Sequence, residues 1–294
     1  MATWRHEFLR TEKDNKTDNF NDIILTWTNK KCNKYNDYVR QKMFNKKQLA
    51  KYELGEILIF NDFHRTLTKI SPKDLKDKEE TEVEQKLVSF YTSEQIKLVG
   101  IKEDKFRFEK IKNLKSVDLP EEIATKFVKV ITAINKILTT TTLDVYYMEV
   151  QKLSELKKKG ETSTYDILTI HHNSEVNYNK LKEYFEAEMV KLKNSCYKMI
   201  EELKKATDMI KLEYLNIVEK KINRIWKDWQ TNVMDRFAQL NYGYAITVHK
   251  SQGSTFKNVF IDIMDIFENR NQKERLKCLY TAITRSSNSL ELLV

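Results

Sequence analysis

Between Val248 and Phe256 the chain reads His249-Lys250-Ser251-Gln252-Gly253-Ser254-Thr255, hydrogen-bonding side chains crowded around a single glycine. An ammonium, an imidazole and several hydroxyls suit a phosphate or a sugar, and a residue without Cβ lets the backbone approach such a ligand closely. Taken as composition alone, the same string is a polar surface turn. A second cluster follows, Arg275-Leu-Lys-Cys-Leu-Tyr-Thr-Ala-Ile-Thr-Arg285, with Ser286-Ser-Asn-Ser289 behind it. An arginine alone at the end of a helix complements the helix dipole. Beside a polyanion, its planar fork of donors does more.

Both clusters need elements to hold them. Tyr244–Val248 and Val259–Ile263 read as interior strands, which places the polar loop at the end of a sheet, where α/β proteins commonly bind ligands. Leu276, Leu279, Tyr280 and Ile283 fall on one helical face and leave Arg285 near the helix end, beside the same sheet edge, before a closing strand at Leu290–Val294. At the other end of the chain, Ile23–Trp27 is a short β-branched and aromatic run. It breaks at Thr28-Asn29 and passes into a helix through Phe44 that carries Tyr35, Tyr38, Val39 and Met43. The expected class is α/β.

The middle of the chain has another character. Glu56–Phe60 reads as a strand after Gly55, and the charged run Lys73–Lys86 as a solvated loop or insertion. Alternation in Gln95–Ile101 and Lys105–Glu109 predicts a hairpin turning at Glu103-Asp104, and Asp144–Val150 and Tyr165–Ile170 add two strands. Between these pairs, Ile123, Phe127, Val130, Ile131, Ile134 and Leu138 follow Pro120 at helical spacing. From Tyr178 to Phe237 there is neither Gly nor Pro, and the apolar stripe slips near Thr207-Asp208, so two antiparallel helices are expected rather than one rod. The predicted organisation is 1–52 plus 238–294 as one discontinuous α/β domain, 53–177 as an inserted β-rich domain, and 178–237 as a helical hairpin.

Over 294 residues, 52 basic against 43 acidic side chains leave a formal charge of +9, which favours a polyanionic partner, nucleic acid before membrane. Mixed charge on the central helices argues against a membrane-surface role. Cys32, Cys196 and Cys278 form no C-x-x-C pair and have no histidines at ligand spacing, so a reduced protein without a metal site is expected. No apolar run approaches the ~20 residues of a membrane span, and MATWRHEFLRTEK is too charged for a signal peptide. These features predict a soluble intracellular chain. The pair His171-His172 reads as surface or hinge histidines.

TVHKSQGST followed some thirty residues later by LYTAITRS resembles motifs V and VI of superfamily 1 helicases, and Leu25-Thr-Trp-Thr-Asn29 resembles motif IV. The pattern is most similar to the 5′→3′ branch typified by phage Dda and RecD helicases, in domains 2A and 2B with a UvrD-like C-terminal domain. The resemblance is dense over about 22–60 and 236–294, thin over 90–180, and absent from most of the helical hairpin. It implies a RecA-like parallel-sheet domain of the P-loop NTPase type, interrupted by a small SH3-like β domain that carries the hairpin as an extension. By the same resemblance Thr247, His249 and Lys250 touch phosphates of single-stranded DNA, with Thr28 and Asn29 as further strand contacts. Gln252 and Gly253 face the nucleotide cleft, and Arg285 is the arginine finger. For Thr28 and Asn29 a plain helix cap is the competing reading.

The implied cofactor is ATP with Mg²⁺, yet the sequence departs from the family where that cofactor is held. Such motors need G-x-x-x-x-G-K-[ST] for the phosphates and an Asp-Glu pair for the metal. The glycines are Gly55, Gly100, Gly160, Gly243 and Gly253, and none precedes a lysine in that pattern. The first RecA-like domain (1A) is therefore expected to lie elsewhere, in the same original polypeptide or in a separate chain, and this chain is expected to be inactive without it. The expected partners are single-stranded DNA and that 1A ATPase domain, with no membrane. A different class of protein, a non-catalytic nucleic-acid-binding or regulatory module derived from a helicase, fits the same residues.

Overall fold

The structure is a computed structural model, and it describes residues 22–46, 48–69, 85–111, 119–156, 163–204 and 206–293. The start of the chain read for targeting and residues 73–84 of the charged run lie outside the described residues, while Gln85 and Lys86 open a strand. In chain order, β1 (Asp22–Thr26) leads into α1 (Asn29–Phe44), and β2 (Ile57–Phe60) precedes β3 (His64–Lys69), β4 (Gln85–Phe90) and β5 (Gln95–Arg107). Next come α2 (Glu121–Thr140), β6 (Thr142–Lys152), the single turn α3 (Leu153–Leu156) and β7 (Tyr165–Ile170). The long helices α4 (Glu175–Glu201) and α5 (Asp208–Trp229) follow, then β8 (Leu240–Tyr242) and β9 (Ala245–Thr247). The chain closes with β10 (Phe256–Asp262), α6 (Ile263–Phe267), α7 (Gln272–Ile283) and β11 (Ser286–Leu293). Two compact units result, one from Met1–Ile101, Met148–Ile167 and Ala238–Val294, the other from Lys102–Tyr147 and Leu168–Phe237.

The first unit is mixed α/β around a parallel sheet of order β11-β10-β1-β9. β1 is buried at every position, as a central strand covered on both faces must be, and its side chains alternate between two cores. Ile24 packs with Tyr35 and Val39 of α1, whereas Ile23 and Leu25 pack with Ile266, Cys278 and Ala282 of α6 and α7. Helices therefore cover both faces. On α7 the packing residues are the small Cys278 and Ala282, and the apolar row Leu276, Tyr280 and Ile283 is exposed.

A five-stranded sheet of order β7-β6-β5-β2-β8 and the two-stranded β3-β4 hairpin make up the remaining β structure. β2 runs antiparallel to both β5 and β8. The hairpin expected within 95–109 does not form, because β5 is one continuous strand through Glu103 and Asp104. Along it the exposed Lys102 and Asp104 pair at 2.7 Å. Residues two apart share a face when the backbone is extended, which the pair fits, and Glu103-Asp104 brings neither the Gly nor the Asn that a two-residue hairpin loop calls for.

In the second unit α4 and α5 pack as an antiparallel pair. Phe185 stacks on Trp229 at 3.8 Å near one end, and Lys193 pairs with Glu219 at 2.7 Å nearer the other. Thr207 is the N-cap of α5, its hydroxyl accepting from the Ile210 N–H, so the slip in the apolar stripe marks a helix start. His171 is buried rather than at the surface. Its ring packs at a tilt against Tyr146 and against His172, which is exposed as expected, and its Nδ1 accepts from the Asn173 N–H, which starts the turn into α4.

Candidate nucleic-acid and nucleotide site

Three sequence-distant segments end at one edge of the parallel sheet. Thr26 is in register with Thr247, and Leu25 with both Ile246 and Ile261, so the carboxyl ends of β1, β9 and β10 lie side by side. Beyond them the backbone groups are tied down individually. The Val248 N–H donates to Thr26 O at 2.8 Å, and the buried Ser251 hydroxyl donates to Val248 O at 2.7 Å, curling residues 248–251 into a tight turn. That turn points His249 and Lys250 outward. The ammonium of Lys250 donates to Asn61 Oδ1 at 3.0 Å, and the His249 Nε2 lies 3.9 Å from Glu274 on α7.

Thr28 and Asn29 sit at the same edge. The Thr28 hydroxyl caps α1 by accepting from the Lys31 N–H at 3.3 Å, and it donates to Asp265 Oδ1 at 2.8 Å. The other oxygen of Asp265 accepts from the N–H groups of Trp27 and Thr28, at 2.7 and 2.8 Å. Thr28 thus has the capping geometry, and Asn29 opens the helix with its side chain exposed. Thr247 is buried, and its carbonyl accepts from the Ser251 N–H at 3.2 Å. Of the residues read as strand contacts, His249 and Lys250 present polar side-chain atoms most openly, with Asn29 beside them.

Arg285 occupies the opposite edge, contrary to expectation. Phe256 is in register with Ser286, so both β10 and β11 begin where β9 has yet to start. The reason is connectivity. α7 returns against the strand direction, and only Thr284 and Arg285 separate it from β11, so the arginine must stand at the amino end of the sheet. The segment 248–255 makes the same return from the end of β9 to the start of β10 without a helix. Along it, Gly253 adopts φ +86° with open space where a Cβ would project. A side chain there would be strained, and the free space leaves the backbone accessible. The Arg285 guanidinium meets this segment directly: Nη1 donates to Ser254 O at 3.1 Å, Nε to Thr281 O at 3.1 Å and Nη2 to Thr284 Oγ1 at 3.0 Å.

One polar segment therefore spans the sheet, with His249 and Lys250 at one end, Gln252 in the same turn through its N–H on His249 O, and Ser254 at the other end bonded to Arg285. At that end, among the described residues, the Arg285 guanidinium and the glycine turn are joined through Ser254 O. Several positioning residues escape a motif search. Asp265 fixes the β1–α1 corner, and Asp262 accepts from the Tyr35 hydroxyl at 2.8 Å while capping α6 through the Asp265 N–H at 3.0 Å. Asn36 holds β9 by a reciprocal pair, donating to Ala245 O and accepting from Ala245 N–H, both at 2.9 Å. The spacing of Asp262 ahead of a short helix is a readable cap signal. Asn36 and Asn61 act on partners far away in sequence and leave no local trace.

Residues 242–293 match the UvrD-like helicase C-terminal domain family, which relates this part of the chain to the C-terminal half of helicases. An uncharacterised protein of Acanthamoeba polyphaga mimivirus is 24% identical over 297 residues, covering 100% of this chain and 51% of that protein. An uncharacterised protein of Methanocaldococcus jannaschii is 36% identical over 86 residues, 26% of this chain and 7% of the relative. The chain thus spans about half of the mimivirus relative and a small part of the archaeal one. The Pif1 helicase from Candida albicans aligns over 92% of this chain and 45% of its own, at 10% identity and a TM-score of 0.29. The relationship rests on the sequence match of residues 242–293.

Proposed function

We propose, from the helicase relationship of residues 242–293, that this chain is the strand-gripping half of an ATP-dependent 5′→3′ DNA helicase and works with an ATPase half that it does not itself contain. The observation that carries the reading is the segment 248–255. It joins an exposed lysine and histidine at one sheet edge to a glycine turn bonded to an arginine at the other. His249 and Lys250 hold the phosphates of single-stranded DNA, and the domain that contains them is the α/β part, 1–52 with 238–294. Residues 53–177 are read as the inserted 2B domain and 178–237 as its helical extension.

ATP with Mg²⁺, bound by the partner half, supplies phosphoryl-transfer energy. The residues of this chain suited to approach it are Arg285, Gln252 and Gly253. To act as a finger, Arg285 must release at least one of its backbone acceptors, and a guanidinium so presented stabilises the negative charge that develops on a transferring phosphoryl group. Movement at Arg285 reaches Lys250 through Ser254 and the turn at Ser251, so the cleft and the strand grip are covalently and hydrogen-bond linked. The experiment is the salt dependence of single-stranded DNA binding. Lys250→Ala is expected to weaken affinity and reduce the slope of log K against log salt by ~0.7, the share of one phosphate on a single strand. An unchanged slope overturns the assignment. Binding that persists with no ATPase activity from any complementing half favours the non-catalytic module instead.

A further inference from the structure

A cavity of about 300 Å³ opens beside the strand grip in the first unit, between one face of α1, the Lys51-Tyr52 corner and β8. That volume is at the small end of ligand sites, about 300–1,000 Å³. Its walls combine the tyrosines Tyr52 and Tyr242 with the polar side chains of Asn33, Asp37, Lys51 and Asn241. Asn33 and Asp37 are exposed one turn apart on α1, and their side chains have no hydrogen-bond partner among the described residues.

The aromatic wall is held rigidly. Tyr242 donates its hydroxyl to Lys51 O at 2.9 Å, and the Arg40 guanidinium lies 3.8 Å from its ring centroid. Arg40 is itself buried, paired with the buried Glu56 and donating to Ala50 O at 2.8 Å. A wall fixed in this way does not have to be ordered when a ligand arrives.

The pocket is also continuous with the candidate phosphate grip. Asn61 Oδ1 accepts from Lys250 Nζ at 3.0 Å and from Asn241 Nδ2 at 2.8 Å, so the ammonium and a wall of the cavity meet on one oxygen atom. On another wall stands Lys51. A cation on either side of a small, mainly polar cavity with two tyrosines in its wall matches one base with its flanking phosphates.

We propose that this cavity is a base pocket for single-stranded nucleic acid, and that Asp37 and Asn33 select a base presenting an exocyclic amine beside a ring acceptor, cytosine or adenine, over thymine. The proposal rests on Lys250 holding a phosphate. A carboxylate accepts from an amino group, and the neighbouring amide donates to the ring nitrogen. Thymine would set its O4 carbonyl against the Asp37 carboxylate, two acceptors without a proton between them.

The test is fluorescence anisotropy of the full chain with labelled oligodeoxycytidylate and oligothymidylate of equal length at fixed salt. The wild-type chain is expected to bind the cytidylate about five- to a hundredfold more tightly, the discrimination of one paired base contact. Asn33→Ala with Asp37→Ala, both at exposed positions, removes that preference: the cytidylate loses its contacts, thymidylate loses the opposing carboxylate, and the two affinities converge with an unaltered thermal melt. Lys250→Ala weakens both oligonucleotides by the same factor and keeps the preference. A wild-type chain without preference, or a preference that survives the double substitution, overturns the pocket while the Lys250 result stands separately. Equal binding by wild type and Lys250→Ala overturns the phosphate grip, and absence of binding to either oligonucleotide overturns both.

Discussion

At the scale of single residues, the two cations central to the proposal have unlike surroundings. Lys250 has one neutral acceptor and is otherwise open, so substituting it removes charge without unmaking the fold. Arg285 is bonded to three acceptors of its own helix end and of the 248–255 segment. With a complementing ATPase half, Arg285→Ala is expected to lower turnover by about 10³-fold or more, as for other fingers, while single-stranded DNA binding by the chain is retained. Unreduced turnover overturns the finger assignment. Cysteines furnish an independent check on three separate buried clusters, one each. Burial pushes the Cys32, Cys196 and Cys278 thiols up to about 11, and all three are free. Since the thiolate is the reactive form, all three are expected to label with iodoacetamide far more slowly at pH 8 in the native chain than in urea. A folded-state pKa above the unfolded one contributes stability that is present below pH ~8.5 and is lost as pH rises through about 11. Rapid stoichiometric labelling at pH 8 without denaturant contradicts that burial. The string His249 to Thr255 was recognisable in the sequence because its chemistry is contiguous. Asn61 and Asp265 were not, because each acquires its meaning only from a strand end far off in the chain.

At the scale of elements, β1 was readable as a continuous apolar run, α2 and α4 from their apolar periodicity, and α1 and α5 from periodicity together with the caps Thr28 and Thr207. β5 was misread because alternation cannot distinguish two short strands from one long one when the intervening residues are charged but extended. The place of Arg285 was misread for a topological reason. A helix between parallel strands starts at their carboxyl ends and finishes at their amino ends, so sequence proximity to a sheet does not tell which edge is meant. The α1–β2 corner depends on the buried pair Arg40–Glu56, which Glu53 supports through its N–H donating to Glu56 Oε2 at 2.9 Å. Arg40→Met is expected to destabilise the chain by about 3–5 kcal/mol in urea titration, because it leaves a carboxylate buried without its countercharge. Adding Glu56→Leu should recover most of that loss. If Arg40→Met alone is neutral, the pair does not hold the corner.

At the scale of the molecule, the compact unit that bears both candidate edges is assembled from three stretches of chain, and the unit containing the helical pair interrupts it twice. Discontinuity of this kind is visible in sequence only as a change of pattern, which is why the α/β character at each end of the chain was legible. If the chain is half of a motor, purified protein alone is expected to hydrolyse no ATP with or without single-stranded DNA, and addition of a 1A half should produce DNA-stimulated turnover. Hydrolysis by the pure chain contradicts the proposal.

The reciprocal amide pair of Asn36 has a consequence for assembly. β9 borders the parallel sheet, and its outward-facing Ala245 N–H and C=O are taken by Asn36, while the Thr247 C=O is taken by the Ser251 N–H. A side chain imitates the next strand there, and another polypeptide finds those positions filled. The opposite border, β11, carries eight residues, and within it the Ser286 hydroxyl donates to Ser289 O at 2.6 Å. A border filled in this way does not accept another strand, so strand exchange at the β9 side of this sheet is blocked.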